Sequence, residues 1–455
     1  MSMTNYFECN IDPVVPKYYH PSIYQKLVDT VALIHERTSK LNMALDDCVL
    51  KGCTTRGATF QRIAKVIFDF SNEKFDEMTP AELADAVDIL YDGHDAEERI
   101  EWPNAVVAFD TAFVTTKDWE ALRHIGIGGS DSSVLMGVNP YQTEEGLWYE
   151  KLGYPEMVSE EGKQAIFDRG HFLEDKVIET FCRLVGAHRI PESRMFRSKD
   201  YPNTTANIDG ILRMPSGALA IFEAKTAARG KEGEWMGEKI PPNYVTQCHQ
   251  YMAVLNDDRI EGAYIGMIPV ADMTLDGTYI ASAYNDDFFH HFIERDADFE
   301  EEILENEKHF WETYVVNGIK PTKSLDPALD KQTLVRYTPT PLSDPTIPTQ
   351  ELSFEQWELQ LDALVETEKA YSAKKAELDK LEMQRDAARL EVIESMNGAQ
   401  CAVYKDATGT PKITVKNTAI TKTTIDMKLL KQFHKEAFLA TKKESSYTRF
   451  SYKEN

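Results

Sequence analysis

Apolar positions in residues 1–118 recur at three- and four-residue steps, as in Leu27, Val31 and Ile34 and again in Phe60, Ile63 and Ile67, which predicts helices. Thr79-Pro80-Ala81-Glu82 predicts a capped start for a helix that runs to Leu90. The Thr79 hydroxyl and Glu82 carboxylate can each take a first-turn N–H, and proline at the first helical position has none to lose. From Trp119 the texture changes. A short helix over Asp118–Arg123 meets the glycine-rich turn Gly126-Ile127-Gly128-Gly129-Ser130-Asp131, and a long helix is expected around Phe172–Val185. Two strands follow, Asn207–Leu212 and Ala218–Lys225, joined by a Pro215-Ser216-Gly217 turn. A helix from Tyr244 to about Leu255 and a strand over 262–270 come next. The stretch from about Asp286 to Val316 reads as one acidic helix, with Phe292, Phe299, Ile303, Phe310 and Trp311 available to pack.

Prolines at 327, 341, 345 and 348 mark residues 322–350 as a linker. Beyond it, Trp357, Leu364, Tyr371, Leu378 and Val392 form a seven-residue stripe that Arg385 interrupts. The second seam is poor, so a helical arm or a helix packed on one partner fits better than a long coiled coil. The last stretch reads as a small basic module, with a β hairpin around Gly409 and a helix over Lys428–Leu439. The expected layout is therefore a helical N-terminal extension (1–118), a central domain (119–321), a linker (322–350), a charged helical arm (351–397) and a C-terminal α+β module (398–455).

A chain of 455 residues is too long for one simple core, and 42% hydrophobic residues suffice for globular packing. No apolar run approaches the roughly 20 residues that a spanning helix needs. The start, MSMTNYFECN, lacks the pattern of a signal peptide, so a cytoplasmic protein with no membrane contact is expected. The six cysteines are scattered without zinc or cluster spacing. A net charge of −25 opposes contact with phosphates, but the acidity concentrates between residues 261 and 396 and the tail is basic.

Chemistry concentrates at Ile221-Phe222-Glu223-Ala224-Lys225. Side chains two apart on a strand share a face, so Glu223 and Lys225 project together. The hairpin turn brings Asp209 opposite or diagonal to Glu223. Two carboxylates and a lysine on one patch make a hard-oxygen site suited to Mg²⁺ or Mn²⁺ and a phosphate. A solvent-facing Glu–Lys pair on an edge strand is the plain alternative. Downstream, Gln247 and Tyr251 stand four apart on a helix and can point at the same site. Cys248 and His249 are adjacent, diverge around the helix and form no nucleophilic dyad.

Taken in order, Arg123, Gly126–Asp131, Asn139-Pro140-Tyr141, Leu147-Trp148, Gly170–Glu174, Asp209-Gly210, Glu223–Lys225 and Gln247–Tyr251 resemble the YqaJ-like viral recombinase and λ-exonuclease-type nucleases of the PD-(D/E)XK superfamily. The likeness covers about 119–320, and Ile208 stands where some members carry proline. It implies an α/β (α+β) restriction-endonuclease-like core and a Mg²⁺-dependent deoxyribonuclease, phage- or prophage-encoded and working in a bacterial cytoplasm. Such an enzyme resects one strand of double-stranded DNA ends, 5′ to 3′, and passes the exposed strand to a single-strand annealing protein. The resemblance assigns metal ligation to Glu174, Asp209, Glu223 and the Ala224 carbonyl, and catalysis to Lys225 with Gln247 in support. Arg123 and Ser130 fall where the DNA 5′-phosphate is bound, with Asp131 and Tyr251 in support; a purely structural turn is the competing account. Homo-oligomers, as a ring or through the arm, are compatible with the likeness. A PD-(D/E)XK endonuclease and a non-catalytic DNA-binding scaffold remain as alternatives.

Overall fold

The computed structural model describes residues 6–11, 18–52, 57–94, 99–157, 163–228, 230–237, 239–270, 288–324, 326–337, 354–425 and 442–454. Its helices and strands run in the order α1 (Pro21–Leu50), α2 (Ala58–Phe70), α3 (Asn72–Glu77), α4 (Pro80–Leu90), β1 (Ala105–Asp110), α5 (Thr116–Leu122), α6 (Gly129–Leu135), α7 (Glu144–Lys151) and α8 (Lys163–Val185). There follow β2 (His188–Ile190), β3 (Arg194–Ser198), β4 (Thr205–Ala206), β5 (Gly210–Arg213), β6 (Leu219–Ala228), α9 (Pro242–Leu255), β7 (Ile260–Val270), β8 (Phe289–Glu294), α10 (Ala297–Phe310) and α11 (Pro327–Tyr337). The remainder holds α12 (Phe354–Ser395), β9 (Cys401–Lys405), β10 (Pro411–Ile425) and β11 (Lys442–Glu454). The chain divides into two units, Met1–Ser343 and Asp344–Asn455.

In the first unit a five-stranded sheet is ordered β2-β5-β6-β7-β8. The β5–β6 hairpin is antiparallel, and β7 returns parallel to β6 after the α9 crossover. One face of β6 packs through Ala220 and Phe222 on Val177, Ile178 and Phe181 of α8. The other packs through Leu219 and Ile221 on Cys248, Tyr251 and Met252 of α9. A sheet covered on both faces explains why β6 and β7 read as near-continuous apolar runs rather than alternating ones. Helix, hairpin, helix and parallel strand give the expected α/β core.

Four expectations need correction. Residues 1–118 are mostly helical, as expected, but they do not stand apart as an extension. Their strand β1 pairs antiparallel with β3, and α1 contributes Leu27, Val31 and Ile34 to a core shared with Trp148 and Phe310. Residues 286–316 are not one helix. Phe289–Glu294 form the edge strand β8 beside β7, and the acidic helix begins only at Ala297, capped by Asp296. Alternating burial along Phe-His-His-Phe-Ile-Glu suits a strand with one face on the core. The 322–350 stretch is not all linker, because Pro327 opens α11. This helix is docked by Thr333 on Thr143 at 3.0 Å and by Tyr337 stacked on Tyr149. Finally, Asp209 lies one residue before β5 rather than within a strand. In the second unit, β9, β10 and β11 form an antiparallel sheet, with Gly409 at the hairpin at φ +82°. The helix expected over Lys428–Leu439 falls on residues outside those described.

Candidate active site

The last hydrogen-bonded pair of the β5–β6 ladder is Gly210 with Phe222. Beyond it β6 continues alone on that side, and the chain before β5 bends so that the Asp209 side chain takes over the pairing. Asp209 Oδ2 accepts the N–H of Ala224 at 2.9 Å. In extended backbone the N–H and C=O of one residue point to the same side, so the Ala224 carbonyl also faces Asp209. Glu223 and Lys225 project from the opposite phase of the strand toward α9. The Lys225 ammonium donates to Glu223 Oε1 in a close ion pair and to Gln247 Oε1 at 3.2 Å. Gln247 Nε2 in turn donates to the Tyr251 hydroxyl at 2.7 Å, which fixes the amide so that its oxygen faces the lysine. The structure thus brings together Asp209, Glu223, Lys225, Gln247 and Tyr251.

Electrostatics mark this cluster as charge-frustrated. Burial pushes the Asp209 carboxyl well above its ordinary range, and the neighbouring Glu223 and Glu174 carboxylates push it further. Burial also raises Glu223, against the pull of Lys225. Burial alone would lower the Lys225 ammonium, but the Glu223 and Asp209 charges outweigh it and hold it above its usual value. Glu223 is 1% exposed and its Oε2 meets no donor. Two crowded carboxyls in that state come to terms by sharing a proton or by taking up a cation. The donors are hard oxygens, which fits Mg²⁺ or Mn²⁺. Among the described residues, however, no three His, Cys, Asp or Glu side chains are gathered closely enough to hold an ion unaided. Glu174 sits half-buried on α8 near enough to act on both acids electrostatically, but it does not complete a ligand cage as the side chains stand.

The glycine-rich turn forms a second constellation. Arg123 follows α5, and its guanidinium donates to Glu150 Oε1 at 2.7 Å. Ser130 is exposed in the first turn of α6. Asp131 is buried; it accepts the Gly128 N–H at 2.8 Å and pairs with the fully buried Lys151 at 2.6 Å. Lys151 also donates to the Arg123 carbonyl at 3.0 Å, so one ammonium ties the two ends of the turn together. Gly129 rests against the Tyr251 ring, where a Cβ would approach to 2.5 Å. That contact links the turn to α9 and requires glycine there.

Two features escaped the sequence reading. Lys151 lies among ordinary surface-looking residues of α7, and only the fold reveals its burial. The Tyr244 ring lies 4.7 Å from the Lys225 ammonium. Its signal was available, since position 244 precedes Gln247 by three residues and so shares its helix face.

Residues 118–258 match the model of a family described as the YqaJ-like viral recombinase domain. The matched segment is similar to that domain. It contains the glycine-rich turn, Glu174, the β5–β6 hairpin and α9, and therefore every candidate site residue. The chain is also similar to the uncharacterized protein YqaJ of Bacillus subtilis (strain 168), with 26% identity over 337 residues that cover 74% of this chain and 94% of that protein. Among solved structures, LHK-Exo in complex with dAMP covers 45% of this chain and 94% of its own at 18% identity, with a TM-score of 0.33. A phage-related exonuclease from Haemophilus somnus 129PT covers 44% of this chain and 99% of its own at 16% identity, with a TM-score of 0.31. Among the described residues, no helix is long and apolar enough to cross a membrane.

Proposed function

We propose that this chain is a divalent-cation-dependent DNA exonuclease that resects duplex ends 5′ to 3′ in phage-type recombination. The observation that carries the reading is the crowding of half-buried Asp209 against buried Glu223, whose partner Lys225 is backed by Gln247. A structural ion pair has no use for a second carboxylate that raises its energy, whereas a cation site does. Asp209, Glu223 and the Ala224 carbonyl would hold Mg²⁺ or Mn²⁺, and Glu174 would close on it from α8. When bound, the ion supplies Lewis-acid polarisation of the scissile phosphate and makes an attacking water more acidic. Lys225 presents its ammonium to the charge that develops on the phosphoryl oxygen, a contribution often worth several kcal/mol of barrier. Gln247 keeps Lys225 from collapsing wholly onto Glu223, and Tyr251 keeps Gln247 in the right orientation.

Arg123 and Ser130 would receive the 5′-phosphate of the DNA end, with Asp131 and Lys151 holding the turn that carries them. The product strand would pass to a single-strand annealing protein in the cytoplasm of a bacterial host. Self-association into a ring, or through α12, is part of the same proposal. The test is hydrolysis of equal masses of linear and covalently closed circular duplex with Mg²⁺. End-dependent release of nucleotides with intact circles supports the exonuclease. Cut circles favour an endonuclease on the same fold, and no hydrolysis of either favours a non-catalytic DNA-binding protein.

A further inference from the structure

An ammonium has three N–H donors. Two of those on Lys225 are directed to Glu223 Oε1 and Gln247 Oε1. The remaining side of the ammonium is occupied by the face of the Tyr244 ring, with Nζ 4.7 Å from its centroid. The ring is itself braced. It stacks on the buried Trp235 at 5.6 Å between centroids and 27° between planes. The Trp235 carbonyl is in hydrogen-bonding contact with His291 Nε2, 3.0 Å away, which anchors that support to β8. Tyr244, Gln247 and Tyr251 occupy successive positions of one α9 face. The same helix face therefore supplies two of the three directions that fix the lysine.

We propose that Tyr244 is a positioning residue for Lys225, acting through its ring face and not its hydroxyl. A quadrupole face attracts a cation without supplying an acceptor that would compete for its protons. It therefore opposes collapse of the ammonium onto Glu223, and its weaker hold lets the third N–H turn from the ring toward a phosphoryl oxygen. The kinetic consequence rests on the nuclease reading above; the positioning itself does not.

The experiment uses the full chain as wild type, Tyr244→Phe and Tyr244→Leu, with Tyr244→Met as a longer, unbranched replacement should the Leu variant melt early. The first readout is acetylation of Lys225 in the metal-free protein at one fixed pH, followed by mass spectrometry. Several-fold faster modification in Y244L, with Y244F matching wild type, is the expected result. Equal rates in all three overturn the proposal whatever the protein does to DNA. The second readout is steady-state hydrolysis of linear duplex with Mg²⁺. Y244L should lose about tenfold in kcat with KM within about twofold, and Y244F should retain wild-type values. A raised KM at unchanged kcat would overturn the proposal by making Tyr244 a DNA contact. Should the wild type fail to hydrolyse DNA while the acetylation pattern holds, the positioning stands and the nuclease reading falls.

Discussion

Asp209 Oδ2 and the Ala224 N–H stand 2.9 Å apart, and this one bond carries an acid from a bend before β5 to the middle of β6. It sets the carboxylate beside Glu223, where neither gains from the other. The metal-free fold pays for that crowding. Because the Asp209 carboxyl lies above its ordinary range, its contribution to stability is present at low pH and lost as pH rises through the folded value. Asp209→Asn keeps an acceptor for Ala224 and removes the charge. In the metal-free protein it should raise Tm by about 2 °C near neutral pH, with a gain that grows with pH. Added Mg²⁺ should stabilise the wild type and leave the Asn variant unchanged. Thermal unfolding with and without Mg²⁺ checks this, and equal Mg²⁺ stabilisation of both proteins would remove Asp209 from the ion site.

Glu307 on α10 provides a separate pH handle. It is buried behind α6, where Ser132 donates to its Oε1. Burial pushes its carboxyl up to about 8, while contacts with Ser132, Thr204 and Gln250 pull it down. Glu307 Oε2 and Gln250 Oε1 are buried acceptors without a donor, which suits a protonated Glu307. Its stabilising effect is complete below the unfolded value of about 4.3 and lost as pH rises through about 8. Wild-type Tm should therefore fall between about pH 4.3 and about pH 8 and level off above that, and Glu307→Gln should flatten the fall. Parallel curves for the two proteins would show that Glu307 is ionised throughout.

Arg123 reaches Glu150 through one guanidinium nitrogen and is exposed, as is Ser130. If it receives the 5′-phosphate, Arg123→Ala should lower kcat/KM on 5′-phosphorylated duplex by about tenfold or more, the scale of one charge-assisted hydrogen bond. Duplex ending in a 5′-hydroxyl should be hardly affected. Loss of equal size on both substrates would assign Arg123 to the structure of the turn.

The hairpin and α9 were legible because their signals are local. Strand period places Glu223 with Lys225, and helix period places Gln247 with Tyr251, whatever surrounds them. The α4 start was legible for the same reason: the Thr79–Glu82 capping box forms within one turn. What stayed hidden depends on partners far along the chain. Ala105–Asp110 reads as apolar, but its strand character comes from β3, nearly ninety residues away. Glu145 looks like a first-turn surface residue of α7, whereas it is 1% exposed and paired with Lys320 and Lys323. Pro327 looks like a helix breaker in the sequence, but its fixed φ opens α11. The hairpin pattern brings Asp209 close to Glu223, but a side-chain bond to the Ala224 N–H, not a ladder bond, joins it to β6.

The central claim is that Lys225 works beside a cation held by Asp209 and Glu223. It is tested most directly by single-turnover hydrolysis of a linear duplex with Mg²⁺, comparing wild type with Lys225→Ala. The wild type should release nucleotides until a chelator is added. The variant should bind the duplex and stay folded while its rate falls by about a hundredfold or more. Hydrolysis by Lys225→Ala at the wild-type rate would contradict the account.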